Sequence, residues 1–249
     1  MKEFGAGTVV DYAWGFTKKH FLGMFGMLLL LVLVYYAIQA ILEVLFGLSS
    51  YAVALDAVKS SHADPLGTVM SLLLTMAPAM CAYTVCMSVV STVMHNGYVN
   101  LALRLADGTR TGVDFSCFRL PVMTYVKVFF ASWLTSVMVL IGLCLCILPG
   151  IYVGVRLLFV SISLIDDPEL PFFDAFKKSW DMTKGYFWSL FLLGIMVVLI
   201  VFAGVCCCCV GVLVSVIVEA FAFAVAYVIL SGKPLAGPCC CTESESQEA

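Results

Sequence analysis

Long apolar stretches separated by short charged ones make up most of the chain. Four stretches of more than 20 residues carry at most one charged side chain each, and they cover residues 21–42, 66–103, 128–165 and 186–230. The last has 45 residues, about twice the ~20 apolar residues that cross the hydrocarbon core of a bilayer as a helix. The pattern predicts an all-α protein, a polytopic membrane helix bundle.

Six spans account for these stretches best. We predict them near 21–46, 82–105, 126–148, 150–165, 186–205 and 210–231, as three hairpins that each follow an amphipathic interfacial helix. A single helix over 66–103 would be about 57 Å long at 1.5 Å per residue, too long for one crossing. We therefore interpret 65–80 as a half-inserted or surface-lying helix that is broken at Pro78. Residues 1–235 form the membrane domain, and 236–249 are expected to be a disordered, Cys-rich and acidic cytoplasmic tail.

The basic residues predict the orientation. Of 13 Lys and Arg residues, eleven fall on one side of the six spans, Lys59 falls on the other, and Arg156 lies within a span. Since Lys and Arg near span ends are retained in the cytoplasm, both termini are expected there. Met1 to His20 is too polar for a cleaved signal peptide, so the first span should be retained as an anchor.

Composition excludes several classes of function. Charged residues make up 12% of the chain, against about 25% in soluble domains, which leaves no room for a separate soluble domain. The net charge of -3 does not suggest a nucleic-acid partner. Membrane lipids are the partners that this composition predicts, and no cofactor is expected.

A short motif occurs twice. The pattern W-x-x-T-K-x-x-F-x-x-x-F begins at Trp14 and again at Trp180, an offset of 166 residues, each time at the foot of a span. The following hairpins end similarly, at 104–108 and 229–233. This order favours an internal duplication; the alternative is that Trp, Lys and Phe recur at any membrane interface.

The segment before each hairpin has the pattern of a helix lying in the membrane plane. In the best example, aromatic residues recur at helical spacing from Phe172 to Trp180, with charged residues on other faces and Gly185 as a C-terminal cap. We expect i,i+4 ion pairs between Asp174 and Lys178 and between Lys177 and Asp181. Thr8-x-x-Asp11 and Thr111-x-x-Asp114 resemble capping boxes at the other two helices.

Five lysines of these helices are candidates for binding anionic lipid headgroups: Lys18, Lys19, Lys177, Lys178 and Lys184. The alternative is that they only anchor the helices at the interface.

Two charged residues lie near the middle of predicted spans, Arg156 in the fourth and Glu219 in the sixth. Charges at this depth usually face the bundle interior as pairs or line a path. The pattern leaves open a buried ion pair that fixes helix register, a site for an anion or lipid phosphate, and a proton-coupled carboxylate. Gln39 and Glu43 are further ligand-binding candidates that could line the same cavity, although Glu43 could also reach the interface.

Histidines and cysteines give weaker signals. His95-Asn96-Gly97 suggests hydrogen bonds between helices, with Gly97 allowing close approach. No histidine has a partner at metal spacing, and Cys206 to Cys209 cannot all converge on one ion in a helix. Cys239 to Cys241 are expected in the tail. No metal site is predicted.

Residues 149–185 resemble a known family. The motif P-G-I-Y-x-x-V-R-x-x-F from Pro149 is followed by D-x-E from Asp167, A-x-K-x-S from Ala175 and T-K-G from Thr183. It is similar to an uncharacterised six-span bacterial membrane protein family related to the membrane domain of glycerophosphodiester phosphodiesterases. The resemblance implies a multi-pass protein of the bacterial inner membrane. It does not imply phosphodiesterase activity, because the soluble catalytic domain of some relatives has no counterpart in this sequence.

Within that motif, Pro149-Gly150 is expected to form the tight turn between spans three and four.

The sequence therefore predicts a non-enzymatic integral membrane protein that binds or moves a lipid or small anion in a bundle centred on Arg156. The alternative is a scaffold that organises partner proteins in the membrane. A third hypothesis, the weakest, is an intramembrane enzyme that uses Glu219, His95 or Glu43.

Overall fold

The protein is all-helical in a computed structural model that describes residues 5–60, 65–109, 112–113, 118–206 and 208–235. No strand occurs in these ranges, which confirms the predicted fold class. The helices are α1 (Ala6–Ser60), α2 (Pro65–Ala106), α3 (Val122–Leu145), α4 (Ile147–Arg156), α5 (Val160–Asp166), α6 (Phe172–Met182), α7 (Phe187–Cys206) and α8 (Cys208–Leu230).

Six segments of the described ranges are long and apolar enough to cross a membrane: Ala6–Gly47, Met76–Ala106, Val122–Leu145, Ile147–Asp166, Phe187–Cys206 and Gly211–Leu230. Their number agrees with the prediction from the sequence. Large apolar side chains on them are solvent-accessible, for example Leu148 at 81% and Trp188 at 76%. Such surface is suited to lipid rather than water. The chain is thus a multi-pass membrane protein by the length and apolar character of its helices.

The first two helices are longer than predicted. α1 has 55 residues and runs from the interfacial segment into the first span without a break. α2 has 42 residues and continues through Pro78, so the predicted break at Pro78 is wrong. A proline inside a helix lacks one hydrogen-bond donor, and membrane helices tolerate that loss. That residues 65–80 are half-inserted or lie on the membrane surface stays a prediction.

The chain divides into two compact units. One unit comprises residues 1–29 and 95–249. The other comprises residues 30–94, and in it the Phe46 and Tyr83 rings meet edge to face with centroids 6.0 Å apart.

The turn between spans three and four is shorter than predicted. α3 and α4 are separated by one extended residue, Cys146, at φ -170° and ψ 156°. Pro149 and Gly150 lie in the first turn of α4, where proline costs no helical hydrogen bond, so their assignment as the turn is wrong. The two glycines of the hairpin instead allow close packing: a Cβ on Gly142 would lie 2.8 Å from the Cα of Gly150.

Span four is interrupted, which the sequence did not predict. Leu157, Leu158 and Phe159 form a turn between α4 and α5. Beyond this turn, α5 packs between α3 and α6 in an apolar core. The buried members of that core are Val128, Ala131, Leu157, Val160, Leu164, Ile165 and Ala175.

α6 is held to this broken span by a buried serine. The hydroxyl of Ser179 donates to the carbonyl of Arg156 (2.8 Å) and accepts from the N–H of Phe159 (3.3 Å). These are backbone groups beside the break that a continuous helix would pair internally. Because Ser179 is fully buried, its hydroxyl, rather than water, pairs these two backbone groups at the break.

The polar contacts of α6 differ from the predicted i,i+4 pairs. Asp181 binds Lys184 instead of Lys177, at 2.7 Å. Lys178 lies 3.9 Å from Asp166 rather than pairing with Asp174. The predicted C-terminal cap is confirmed, because Gly185 has φ +85°, a left-handed conformation that glycine adopts without strain.

The start of α1 also differs from the prediction. α1 begins at Ala6, and the Thr8 hydroxyl donates to the carbonyl of Gly5 at 2.7 Å. Thr8 therefore lies inside the first turn and is not the N-cap of a capping box. Thr111 and Asp114 lie outside the described residues.

The two copies of the repeated motif have similar local structure. α1 and α6 begin 166 residues apart, at Ala6 and Phe172. In each copy the motif threonine donates to the carbonyl four residues earlier, Thr17 at 2.8 Å and Thr183 at 2.9 Å. Buried residues also correspond at the same offset: Val9, Ala13 and Thr17 in one copy, and Ala175, Ser179 and Thr183 in the other.

The copies differ where the second helix ends. Gly185 allows α6 to end before α7, whereas Lys19 occupies the equivalent position in α1. Because a lysine does not favour a left-handed conformation, α1 continues straight into its span.

Candidate functional site

A cavity of about 270 Å³ lies within the larger unit, between α2, α5 and α8. Five polar residues line it: His95, Asn96 and Tyr98 of α2, Ser161 of α5 and Glu219 of α8. The remaining wall is apolar and consists of Val99, Leu158, Ile162, Ile165, Val216, Ala220 and Phe223.

Helical spacing explains why these side chains meet. On α8, Val216, Glu219, Ala220 and Phe223 are three or four residues apart and so share one face. α5 presents residues 161, 162 and 165 in the same way. The charged residue of α8 therefore lies on the face that closes the cavity.

Two buried donors at the cavity have no partner within the described residues. They are the side-chain nitrogen of Asn96 and the hydroxyl of Tyr98, on residues that are 3% and 4% exposed. A buried polar group left unpaired costs about 1–3 kcal/mol. Because native proteins rarely accept such a cost without a reason, the cavity is suited to a molecule that accepts hydrogen bonds.

Glu219 adds a carboxyl group to the same cavity. No ion pair or hydrogen bond joins it to another residue in the ranges that the structure describes. Ser161 differs, because its hydroxyl lies 3.2 Å from that of Ser132. Glu219, His95, Asn96 and Tyr98 are thus the polar groups left to bind a ligand.

Arg156 is engaged elsewhere. Its guanidinium donates to the Tyr152 hydroxyl at 2.9 and 3.1 Å, to the Trp180 carbonyl at 3.3 Å and to the Thr183 hydroxyl at 3.5 Å. It also lies over the Tyr152 and Trp180 rings, 5.1 and 5.2 Å from their centroids.

The predicted ion pair between Arg156 and Glu219 is wrong. Arg156 binds a carbonyl in the last turn of α6, where a cation is favoured by the helix dipole. It does not line the cavity that Glu219 lines. The sequence could not show this, because it gives depth along a span and not the face on which a side chain lies.

Gln39 and Glu43 form a pair in the smaller unit. The Gln39 amide donates to Glu43 at 2.8 Å, and the Tyr83 hydroxyl lies 3.4 Å from the same carboxylate oxygen. That these two residues take part in the same site as Glu219 stays a prediction.

The lysines proposed for lipid headgroups fall into two groups. Lys178 donates to the Tyr227 hydroxyl at 3.1 Å and lies near Asp166, so it is part of an internal network. Lys18, Lys19 and Lys177 are exposed on helices and Lys184 is exposed in the turn after α6. Lys18 lies 5.5 Å from the centroid of the Trp14 ring.

Sequence reasoning missed that internal network. Asp166 accepts from the Tyr227 hydroxyl at 2.8 Å and forms a short ion pair with Lys233, which also lies 3.6 Å from Asp107. Burial raises the pKa of the Asp107 carboxyl, an effect that Lys233 opposes and Asp166 reinforces. The network joins the ends of α2, α5 and α8 directly, and Lys178 links it to α6.

One signal for this network was present in the sequence. The similar hairpin ends at 104–108 and 229–233 contain Asp107-Gly108 and Gly232-Lys233, and both glycines are left-handed, at φ 71° and 72°. The residues beside these glycines, Asp107 and Lys233, carry opposite charges, and this was the signal for an ion pair between the two hairpin ends.

The histidine and glycine predictions for α2 have mixed outcomes. His95 and Asn96 were expected to hydrogen-bond between helices, but the Asn96 nitrogen has no partner among the described residues. Gly97 does allow close approach, since a Cβ there would overlap the Phe118 ring.

Cysteines form no recognisable centre in the described part of the chain. No group of three His, Cys, Asp or Glu residues there is arranged to hold a metal ion. Cys206 is exposed and has a free thiol, while Cys207 and Cys239 to Cys241 lie outside the described residues.

No protein family, curated protein or solved structure matches the chain.

Proposed function

We propose that this chain is a non-enzymatic integral membrane protein that binds or moves a small ligand, and that the ligand occupies the cavity beside Glu219. The observation that carries the proposal is that Glu219 lines one cavity with Asn96 and Tyr98, whose buried donors have no partner among the described residues. Ionisable residues within spans usually serve substrate or ion pathways. Transporters commonly bind substrate near the middle of the membrane.

The same contacts argue against an anion or lipid phosphate centred on Arg156. All the guanidinium nitrogens of Arg156 already donate to protein oxygens or lie against aromatic rings. We assign Arg156 to holding α6 against span four. The proposal is also non-enzymatic because the sequence has no phosphate-cradling glycine loop, nucleophile elbow or zinc-protease helix.

Native mass spectrometry of the purified protein in mild detergent tests this function. Wild type should retain a stoichiometric lipid or solute. Ala220→Leu adds three carbon atoms to the cavity wall and should lose that ligand. Ala203→Leu is the matched control, because Ala203 is exposed on α7 and does not line the cavity.

Three outcomes are informative. Loss of the ligand in Ala220→Leu but not in Ala203→Leu supports the proposal. Retention by both variants would overturn it. A second polypeptide retained by wild type in place of a ligand would favour the scaffold alternative.

We also propose a bacterial inner-membrane location, which rests on the family resemblance, and an orientation with both termini in the cytoplasm, which rests on the eleven-to-one distribution of Lys and Arg. Phosphatase and fluorescent-protein fusions after Ser61 and at the C-terminus test this. High phosphatase activity at the C-terminus would refute the orientation.

The family resemblance and the internal duplication are further proposals. In support of the first, Arg156, Ser179 and Thr183 of the shared motif contact one another, so the motif corresponds to one structural unit. In support of the second, α1 and α6 begin at the same offset as the repeated motif and share its buried positions.

Lipid headgroups remain candidate partners of the exposed lysines Lys18, Lys19, Lys177 and Lys184. Their position at the feet of two spans supports this role.

A further inference from the structure

The cavity beside Glu219 has a polar end and an apolar wall, and together they indicate the kind of molecule that it takes. We infer that the ligand carries a protonated amine next to an oxygen that accepts hydrogen bonds, on a compact apolar body. This inference rests on the proposed function, because it names the chemical class of ligand for the same cavity.

The amine follows from Glu219. Among the described residues, no Lys or Arg lines the cavity and none forms an ion pair with the Glu219 carboxyl. A carboxylate away from water is costly unless a cation or several hydrogen bonds compensate it. A ligand ammonium supplies both the charge and the N–H donors, whereas an anionic ligand would place a second negative charge beside the carboxylate.

The oxygen acceptor follows from Asn96 and Tyr98. The Asn96 nitrogen and the Tyr98 hydroxyl can both donate, and neither has a partner in the described part of the chain. Both residues belong to α2 and line the cavity. A ligand oxygen that accepts from either donor would relieve a polar group that is buried and unpaired among the described residues.

The apolar body follows from the remaining wall. The cavity volume of about 270 Å³ is near the lower end of the usual range for small-molecule sites. Apart from its five polar residues the lining is aliphatic or aromatic. A free amino alcohol and the ethanolamine headgroup of a phospholipid share the required polar chemistry.

Three soluble probes of equal scaffold separate these requirements. 2-Amino-1-phenylethanol has both the amine and the hydroxyl, 1-phenyl-1,2-ethanediol lacks the amine, and 2-phenylethylamine lacks the hydroxyl. Titration calorimetry on the full-length protein in maltoside detergent gives each dissociation constant. We expect the amino alcohol to bind at least about tenfold more tightly than either of the other probes, since a charged or buried hydrogen bond is lost in each.

Two variants locate the recognition. Glu219→Gln keeps the shape of the side chain and removes its charge. It should therefore weaken binding of the amino alcohol about tenfold or more and leave the affinity for the diol unchanged. Glu169→Gln is the matched control, because Glu169 is exposed in the segment between α5 and α6, and it should bind as wild type does. Tyr98→Phe removes one hydroxyl. It should reduce the affinity for the amino alcohol more than it reduces the affinity for 2-phenylethylamine.

A comparison of bilayers identifies the source of the ligand. If the ligand is a lipid headgroup, phosphatidylethanolamine will compete with the amino alcohol. The affinity for the amino alcohol would then be lower in phosphatidylethanolamine nanodiscs than in phosphatidylglycerol nanodiscs. A free solute as the ligand predicts equal affinity in both. Either result is consistent with ammonium recognition.

The inference and the proposed function can fail separately. If the diol binds as tightly as the amino alcohol, or if Glu219→Gln binds the amino alcohol as wild type does, ammonium recognition is overturned while the cavity remains a binding site. If no probe binds but native mass spectrometry still shows a ligand that Ala220→Leu loses, the inferred class is wrong and the function stands. Absence of both would overturn both.

Discussion

Replacement of Ser179 by alanine should show how much the interruption of span four depends on one hydroxyl. Ser179 bonds the Arg156 carbonyl and the Phe159 N–H, on either side of the break. Alanine removes that oxygen and changes little else, because the side chain is fully buried and alanine is smaller. Two backbone groups would then lack a partner.

The magnitude follows from those two groups. Each buried unpaired group costs about 1–3 kcal/mol, which gives about 2–6 kcal/mol for the pair. We expect the lower half of that range, about 2–4 kcal/mol, because the bond from the Phe159 N–H is long at 3.3 Å.

Thermal unfolding of the purified protein in detergent measures the effect. Ser136→Ala is the control, since the Ser136 hydroxyl bonds the Ser132 carbonyl within its own helix at 2.8 Å and its loss should change stability by less than about 0.5 kcal/mol. Equal melting temperatures for the Ser179 and Ser136 variants would refute the role that we give Ser179.

Two further predictions concern the α3–α4 hairpin and the network at the helix ends. Gly150→Ala should destabilise the protein by about 1–3 kcal/mol, because its Cβ would lie 2.7 Å from the backbone nitrogen of Leu143. Gly154→Ala is the control, because its Cβ would make only ordinary contacts. Similar melting temperatures for the two variants would exclude close packing at Gly150. Burial alone would lower the pKa of Lys233, but the hydrogen bond and charge of Asp166 raise it overall. The charged lysine therefore stabilises the fold below its unfolded pKa of about 10.4, and this contribution is lost as pH rises through the higher folded value. The difference in melting temperature between wild type and Lys233→Met should shrink from neutral pH to about pH 11, and a constant difference would contradict the pairing.

Hydropathy was sufficient to predict the class of fold and the number of candidate spans, because apolar length is a property of the sequence alone. It was also sufficient to single out Glu219, since a charge in a long apolar stretch is unusual. The positive φ of Gly185 was predictable because a glycine after an amphipathic segment commonly ends a helix.

Contacts between distant residues were beyond the same reasoning. Arg156 and Glu219 are both near the middle of their stretches, yet one binds the end of α6 and the other lines a cavity. Depth along a helix does not specify rotation about its axis or breaks in its backbone. The interruption at Leu157 to Phe159 has no proline or glycine, and the hydroxyl that pairs its backbone groups belongs to Ser179, twenty positions after Phe159 in the chain.

The break in span four connects α6 to the cavity. Ser179 fastens α6 to both sides of the joint, and the segment beyond the joint, α5, carries Ser161, Ile162 and Ile165 of the cavity wall. A rocking movement of α6 would pull on α5 without first bending an unbroken helix. A change in lipid packing that shifts α6 would thereby displace the short helix α5 and with it part of the cavity wall.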